Sequence, residues 1–294
     1  MTTEFRISVD HAVCRKCGLC ATVCTHTKLQ QPDRSAPPIV VEDMDCIACG
    51  HCVAMCPTGA LTHSEFGPGS IQPLDLDLLP NAAQTMEALR ARRSFREFKK
   101  EPIEREALEQ VIEAARLAPS SHNTQTTSFL IVTDPEMLKR VVNLTVQFLD
   151  GMSKYFRHPI KGRFARMMGG DKIAGLMKML PVFEGVVELA NEGADLPMLL
   201  DAPAWMVFHS AKDAGYGKVN ASLAMENAML MAQSLGLGSF YTGFLLVPTM
   251  RSFLMHDLLG LDHDQAIHGA LALGVPKVSY KNWPSKRSAN LRWI

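Results

Sequence analysis

The sequence predicts an α+β fold in two parts: a small, internally duplicated, cysteine-rich domain followed by a larger layered domain of helices and strands. Three observations lead there. All eight cysteines fall between Cys14 and Cys56, in two runs of identical spacing. A stretch dense in glycine and proline, Gly67-Pro68-Gly69-Ser70 with Pro73 and Pro80, then interrupts every periodic pattern, as turns and linkers do. Beyond it, helical periodicity alternates with short apolar runs, the pattern of packed helix and sheet layers. The expected boundaries are residues 1–66 for the first domain, 67–80 for a linker and 81–294 for the second domain.

Composition bounds what the chain does. At 294 residues it is about two domains long, and its 47% apolar content is ordinary for a globular protein with a large core. Lysine plus arginine equals aspartate plus glutamate, 30 against 30, so charge proposes neither nucleic acid nor a membrane as partner. No apolar run approaches the ~20 residues of a membrane span, and no apolar signal segment follows Met1. The expectation is a soluble cytoplasmic protein whose thiols stay reduced.

In the first domain, residues 4–31 and 37–65 repeat each other, with Cys46 following Cys14 by 32 positions. Each copy opens on a short β-like stretch, Phe5–Val9 and Ile39–Val41, that leads into its cysteines. The runs are Cys14, Cys17, Cys20, Cys24, followed by Thr25, and Cys46, Cys49, Cys52, Cys56, followed by Pro57. A disulfide framework and zinc both compete for such a pattern. Disulfides sit poorly with a chain that otherwise lacks cysteine, and tetrahedral zinc leaves the third cysteine of each run without a role. The spacing C-x2-C-x2-C-x3-C resembles that of bacterial ferredoxins holding two 4Fe-4S clusters, where each run gives three thiolates to one cluster and its fourth to the other. The resemblance implies Cys14, Cys17, Cys20 and Cys56 on one cluster, and Cys46, Cys49, Cys52 and Cys24 on the other. A tight turn would set three thiolates on adjacent corners of a cube, with the fourth on a short following helix. Gly18 and Gly50, directly after the second cysteines, are read as positions of positive φ and close backbone approach. His11, His26 and His51 are read as surface or outlying residues, since four thiolates already complete each set.

In the second domain, Asn81 caps a helix through Arg90. Pro102 opens another in which Leu108, Val111, Ile112 and Ala115 recur on one face, and Pro119 ends it. Phe129–Val132, Trp205–His209 and Ile267–Leu273 read as buried strands. Leu223, Asn227, Leu230, Met231 and Gln233 lie on a long helix ending at Gly236, with Ser239–Phe244 extended after it. Gly236, Gly238 and Gly243 do not make a dinucleotide fingerprint, because the helix precedes the strand. Residues 150–200 carry Met152, Met167, Met168, Met177, Met179 and Met198. Such methionines suit a lid over an apolar ligand and equally suit the filling of a helical insertion.

Two polar islands could carry chemistry. Arg92-Arg93-Ser94-Phe95-Arg96 offers guanidinium groups and a hydroxyl to a phosphate, or is a solvated face. Ala118-Pro119-Ser120-Ser121-His122-Asn123-Thr124-Gln125 offers donors and acceptors to a planar heterocycle, or is a cluster of turn and cap residues. Taken with Ala224-Met225-Glu226-Asn227 and Gly236-Leu237-Gly238-Ser239, in this order, they resemble the nitroreductase superfamily of FMN-dependent enzymes over residues 82–294.

The resemblance implies a nitroreductase-like layered α+β FMN domain in which Arg92, Arg93, Ser94 and Arg96 hold the FMN phosphate and the pyrimidine side of the ring. It implies that Ser120, Ser121, Asn123 and Gln125 reach the cofactor from the partner subunit of an intertwined homodimer. The backbone of Tyr241, Thr242 and Gly243 would lie near the flavin N5, and Lys286 and Arg287 near the phosphate. His122 and His209 are read first as polar contacts of a turn and a strand; no residue is assigned as catalytic, and solvent is the expected proton source.

The fusion implies an oxidoreductase. Two 4Fe-4S clusters pass electrons singly, whereas FMN accepts one and delivers two. The expected flow runs from an external low-potential donor such as ferredoxin, through the clusters, to FMN and a small organic substrate: a nitro group, quinone, activated alkene or carbon–halogen bond. The alternatives are direct reduction by NAD(P)H with accessory clusters, and a non-catalytic electron-transfer adaptor for a partner enzyme.

Overall fold

The computed structural model describes residues 5–67, 69–168, 170–193, 198, 199, 201–250 and 252–294. Residue 4 of the first repeat, residue 68 of the linker, and residues 169, 194–197 and 200 of the methionine-rich stretch lie outside these. The chain divides into two compact units, Met1–Pro80 with Ser120–Thr124, and Asn81–Pro119 with Gln125–Ile294.

The first unit contains β1 (Ile7–Val9), α1 (Leu19–Thr22), β2 (Leu29–Gln30), β3 (Ile39–Val40), α2 (His51–Met55) and β4 (Leu61–His63). Both of its antiparallel ribbons take one strand from each repeat: β1 pairs with β4, Ile7 opposite His63, and β2 pairs with β3, Leu29 opposite Val40. Leu29, Val53 and Leu61 form its core together with Cys20 and Cys52. A core this small rarely holds a fold unaided, so bound metal is the expected staple.

Gly18 and Gly50 take φ of 75° and 74° at the N-caps of α1 and α2. Protein atoms crowd both positions: a Cβ would stand 2.5 Å from Gln31 Oε1 at Gly18, and 3.0 Å from the Phe66 ring at Gly50. The expectation that the fourth cysteine of each run rides on a short helix needs correcting. It is the third, Cys20 and Cys52, that lies in the helix. Each helix is about one turn long, so the chain has already left it at Cys24 and at Cys56, the C-cap of α2.

The second unit begins with α3 (Ala82–Ala91), where Asn81 and Gln84 form a reciprocal capping box. Next come α4 (Arg105–Arg116), which starts three residues later than Pro102 implied, and β5 (Ser128–Val132). Then α5 (Pro135–Arg157) opens with Asp134 accepting from the Met137 N–H and proline at its first position. After α6 (Lys161–Met168), α7 (Gly170–Lys178) and α8 (Leu180–Asn191) the chain enters β6 (Ala204–Ala211), α9 (Gly217–Ser234), β7 (Gly238–Tyr241), α10 (Leu254–Leu259) and β8 (Gln265–Gly274).

Strands order β5-β6-β8-β7 with every pair antiparallel. Both sheet faces are covered, which is why these strands read as apolar runs and not as alternating patterns. On one face Met206, Phe208, Leu271 and Leu273 pack with Leu108, Val111 and Ala115 of α4 and with Ala221, Ala224, Ala228 and Ala232 of α9. On the other, Trp205, Val207, Ala270 and Ala272 pack with Leu138, Val141, Leu245 and Met255. Burying each large side chain contributes about 1.5–3 kcal/mol, and the alanine stripe lets α9 lie close to the sheet.

Two expectations change here. The extended stretch stops at Tyr241, because Thr242 turns the chain by accepting the Leu245 N–H, and 3-10 turns span Gly243–Met250. The methionines of residues 150–200 split by position: Met152, Met177 and Met198 pack on the core of Leu149, Phe156 and Phe183, whereas Met167, Met168 and Met179 are exposed. Among the described residues, no helix is long and apolar enough to cross a membrane.

Candidate functional site

In the first unit the eight thiols ring two small cavities. One is lined by Cys14, Cys17, Cys20 and Cys56, the other by Cys24, Cys46, Cys49 and Cys52. Among the described residues no three His, Cys, Asp or Glu side chains converge on a single ion-sized point. Four thiols around one volume fit a multinuclear cluster better than a lone tetrahedral ion.

Local backbone aims amides at the sulfurs. Lys16 and Ala48, directly before the second cysteine of each run, take left-handed φ of 55° and 49°. Each then points its N–H at the preceding sulfur, Lys16 to Cys14 Sγ and Ala48 to Cys46 Sγ, both at 3.4 Å. Cys56 Sγ accepts the Ala60 N–H at 3.2 Å and lies 3.7 Å from the Thr58 hydroxyl.

Burial pushes the Cys20 and Cys46 thiols up and the Cys52 thiol up to about 11, so a metal bound there would have to displace those protons. Burial also opposes ionisation of Cys56, but bonds from Thr58, Ala60 and Leu61 outweigh it and leave that thiol below its ordinary value. His26 and His51 line the second cavity's rim, and His11 is exposed.

The sequence reading missed His63. It ends β4, is buried at 4% exposure, and is flanked by the rings of Phe5 and Phe66. Its Nε2 lies 3.4 Å from Cys46 Sγ, while its Nδ1 accepts the Glu65 N–H at 3.1 Å. Burial lowers its pKa, with Glu65 pulling the other way. The available signal was the repeat itself: subtracting the 32-residue period places His63 over Gln31.

The loop Ser120–Thr124 belongs to the first unit, and Asn123 shows why. Its side-chain amide donates to the Ile47 and Ala48 carbonyls, at 3.3 and 2.8 Å, between Cys46 and Cys49. His122, Asn123 and Gln125 all take positive φ, 52°, 54° and 48°, and Ser121 Oγ lies 3.0 Å from His122 Nδ1. Left-handed non-glycine residues cost energy and persist where their surroundings hold them.

In the second unit a cavity of about 640 Å³ is lined by Arg90, Arg92, Arg93, Ser94, Arg96 and Lys286, with Tyr280 and Trp283 forming a wall. Arg93 stacks over Tyr280 and Arg90 over Trp283. Backbone pairing fixes this arginine segment: Ser94 bridges Ser239 beside β7, the Phe95 N–H bonds the Ser239 carbonyl, and the Lys99 N–H bonds that of Val275. Arg92 also sits 3.6 Å from Glu226 on α9. The structure thus brings Lys286 together with the arginine island; Arg287, its exposed neighbour, is not among the lining residues.

A larger cavity of about 1080 Å³ shares only Arg96 with these motifs. The cationic lining of the smaller one makes it the better match to a phosphorylated ligand. Tyr241 is half exposed, at 52%, whereas Thr242 is buried. The Thr242 hydroxyl accepts the Trp205 indole N–H at 2.8 Å and donates to the Ala270 carbonyl at 3.1 Å, so its side chain serves the fold. His209 contacts Gln265 Oε1 at 3.0 Å, a polar contact as expected.

Comparison with known proteins agrees with both halves. Residues 89–275 match the model of the nitroreductase family, and residues 13–60 match that of a 4Fe-4S dicluster domain. A protein of Archaeoglobus fulgidus, named as an NADH dehydrogenase/NAD(P)H nitroreductase, is 27% identical over 66% of this chain and 86% of its own length. A Thermococcus litoralis ferredoxin is 36% identical over 19% of this chain and 95% of its own. The FMN-bound nitroreductase structure from Desulfitobacterium hafniense superposes with TM-score 0.52 at 20% identity, over 74% of this chain and all of that one, a likeness of fold.

Proposed function

The chain belongs to the nitroreductase family, as an FMN-dependent oxidoreductase that carries a 4Fe-4S dicluster domain, and we propose that it passes single electrons from an external low-potential donor through two clusters to FMN for reduction of a small organic substrate. The observation that carries this reading is the pair of four-thiol cavities built into the same chain as the flavin domain. When bound, the clusters supply one-electron transfer, and FMN supplies the one-to-two-electron conversion that a closed-shell substrate requires.

The chain's own residues do the holding and the orienting. Cys14, Cys17, Cys20 and Cys56 take one cluster, and Cys46, Cys49, Cys52 and Cys24 the other. Lys16, Ala48 and Ala60 steady three of these sulfurs through their amides. Arg92, Arg93, Arg96 and Lys286 neutralise the FMN phosphate, with Ser94 completing its shell. Tyr241, Thr242 and Gly243 offer backbone to the ring. Ser120, Ser121 and Gln125 reach a cofactor held by a second copy of the chain in a homodimer, while Asn123 fixes the loop that presents them.

The test is donor-driven turnover in a Cys49→Ser/Cys52→Ser variant. The double substitution abolishes turnover with reduced ferredoxin and leaves FMN bound. Unchanged rates in protein shown to lack the second cluster would sink the proposal.

The names of two relatives favour a second reading, reduction directly by NAD(P)H. One is the archaeal protein above; the other is a Bacillus subtilis protein named FMN reductase (NAD(P)H), 29% identical over 54% of this chain and 54% of its own length. Stopped-flow mixing with NADPH separates the two: rapid flavin bleaching supports direct transfer, and its absence leaves the clusters as the inlet.

A further inference from the structure

We propose that His63 is a potential-setting residue for the second cluster, donating an N–H···S hydrogen bond to Cys46 that favours the reduced state of that cluster alone. This rests on the reading that Cys46 ligates that cluster. The geometry fixes the donor. Nδ1 accepts the Glu65 N–H at 3.1 Å, so in the neutral ring the hydrogen is on Nε2, which faces Cys46 Sγ at 3.4 Å. The ring is buried between Phe5 and Phe66, which hold it in place and keep water from competing for the sulfur.

The duplication supplies an internal control. At the equivalent position of the first repeat stands Gln31, whose Nε2 donates to the Lys16 and Ala36 carbonyls and not to a sulfur. The backbone bonds, by contrast, are conserved between the halves: Lys16 to Cys14 and Ala48 to Cys46, at the same length. On the first cavity the added donors gather at Cys56: the Ala60 amide, the Thr58 hydroxyl, and backbone bonds from Thr58 and Leu61. His63 therefore gives the second cluster a donor that the backbone repeat does not provide.

One electron added to a 4Fe-4S cluster raises the negative charge on its thiolates, and a hydrogen bond to sulfur strengthens with that charge. No proton leaves the imidazole. The electron comes from the low-potential donor named above and departs to the flavin.

The test is a redox titration followed by electron paramagnetic resonance on cluster-loaded protein, with iron content measured alongside. In His63→Leu one of two midpoints falls, by about a tenfold change in its reduced-to-oxidised ratio at fixed potential, or about 59 mV for one electron. His63→Gln, which keeps an N–H donor, restores part of the shift. Both midpoints unmoved, or both moved equally, overturns the proposal. Should His63→Leu lose iron, pulsed resonance on wild-type protein carrying 15N-histidine decides: a nitrogen coupling on one reduced cluster supports the bond, and no coupling refutes it. Iron near zero in wild-type protein would instead strike at the cluster reading itself.

Discussion

The side-chain amide of Asn123 donates to the carbonyl of Ala48 at 2.8 Å, tying a loop that is distant in sequence to the backbone between Cys46 and Cys49. The same amide reaches Ile47 at 3.3 Å. Ala48 is itself strained, with φ of 49°, and its N–H points at Cys46, so Asn123 braces a residue that orients a thiolate.

Replacing Asn123 separates the two costs involved. Asn123→Gly keeps the left-handed backbone and removes the bonds, and is expected to destabilise the first unit by about 1–2 kcal/mol. Asn123→Asp puts an acceptor against two carbonyls and is expected to cost more. Denaturant titration followed by cluster absorbance ranks the two variants; equal stability of both with wild type would show the brace to be idle.

Exchange of the fourth thiols tests the crosswise grouping. Cys56→Ser is expected to empty the cavity of Cys14, Cys17 and Cys20, and Cys24→Ser the other, each halving iron from about eight to about four per chain. Iron analysis with resonance spectra of the surviving cluster checks this. Identical residual spectra from the two variants would contradict it.

Arg93 and Lys286 line the same cavity from opposite ends of the unit's sequence. Arg93→Ala and Lys286→Ala should each weaken FMN by about 10- to 100-fold, while riboflavin, which lacks the phosphate, is affected far less. Arg287→Ala should leave both affinities near wild type. Fluorescence quenching titrations with the two flavins give the comparison.

Thr242→Val removes the acceptor of the Trp205 indole in a dry core. The orphaned N–H should cost about 1–3 kcal/mol, read as a lower denaturation midpoint. A polar Thr242→Ser should recover most of it.

The Ser210 hydroxyl lies 2.7 Å from His268 Nε2, and burial, then the nearby His209 and Lys218, hold the His268 pKa below its ordinary value of 6.5. The unfolded chain therefore binds this proton more readily than the folded one. Stability from this group is complete above about pH 6.5 and declines as pH falls toward the lowered folded value. His268→Gln, which cannot titrate, should flatten that acid limb in thermal melts from pH 7 to 5.

Legibility in the sequence followed the range of the interactions. The two cysteine runs were readable because spacing within a run is a local property, whereas their crosswise grouping came only with the resemblance; the strands at Trp205 and Leu271 were readable because each is apolar on both faces. The arginine island could be found as a string; its cavity could not, since Lys286, Tyr280 and Trp283 arrive from a tail with no periodic pattern. His63 and Asn123 act through side-chain contacts to residues distant in sequence, which leave no mark on composition; for His63 the repeat gave the position but not the contact. The helix position of Cys20 and Cys52 was misjudged by one ligand because a one-turn helix is shorter than any periodicity can resolve.

Both ribbons of the first unit take one strand from each repeat, β1 with β4 and β2 with β3. Neither repeat owns a ladder, and neither ring of four thiols closes without the other's contribution. A fragment holding one repeat alone would therefore lack both ribbons and both complete thiol sets, so neither half could load a four-thiolate cluster by itself.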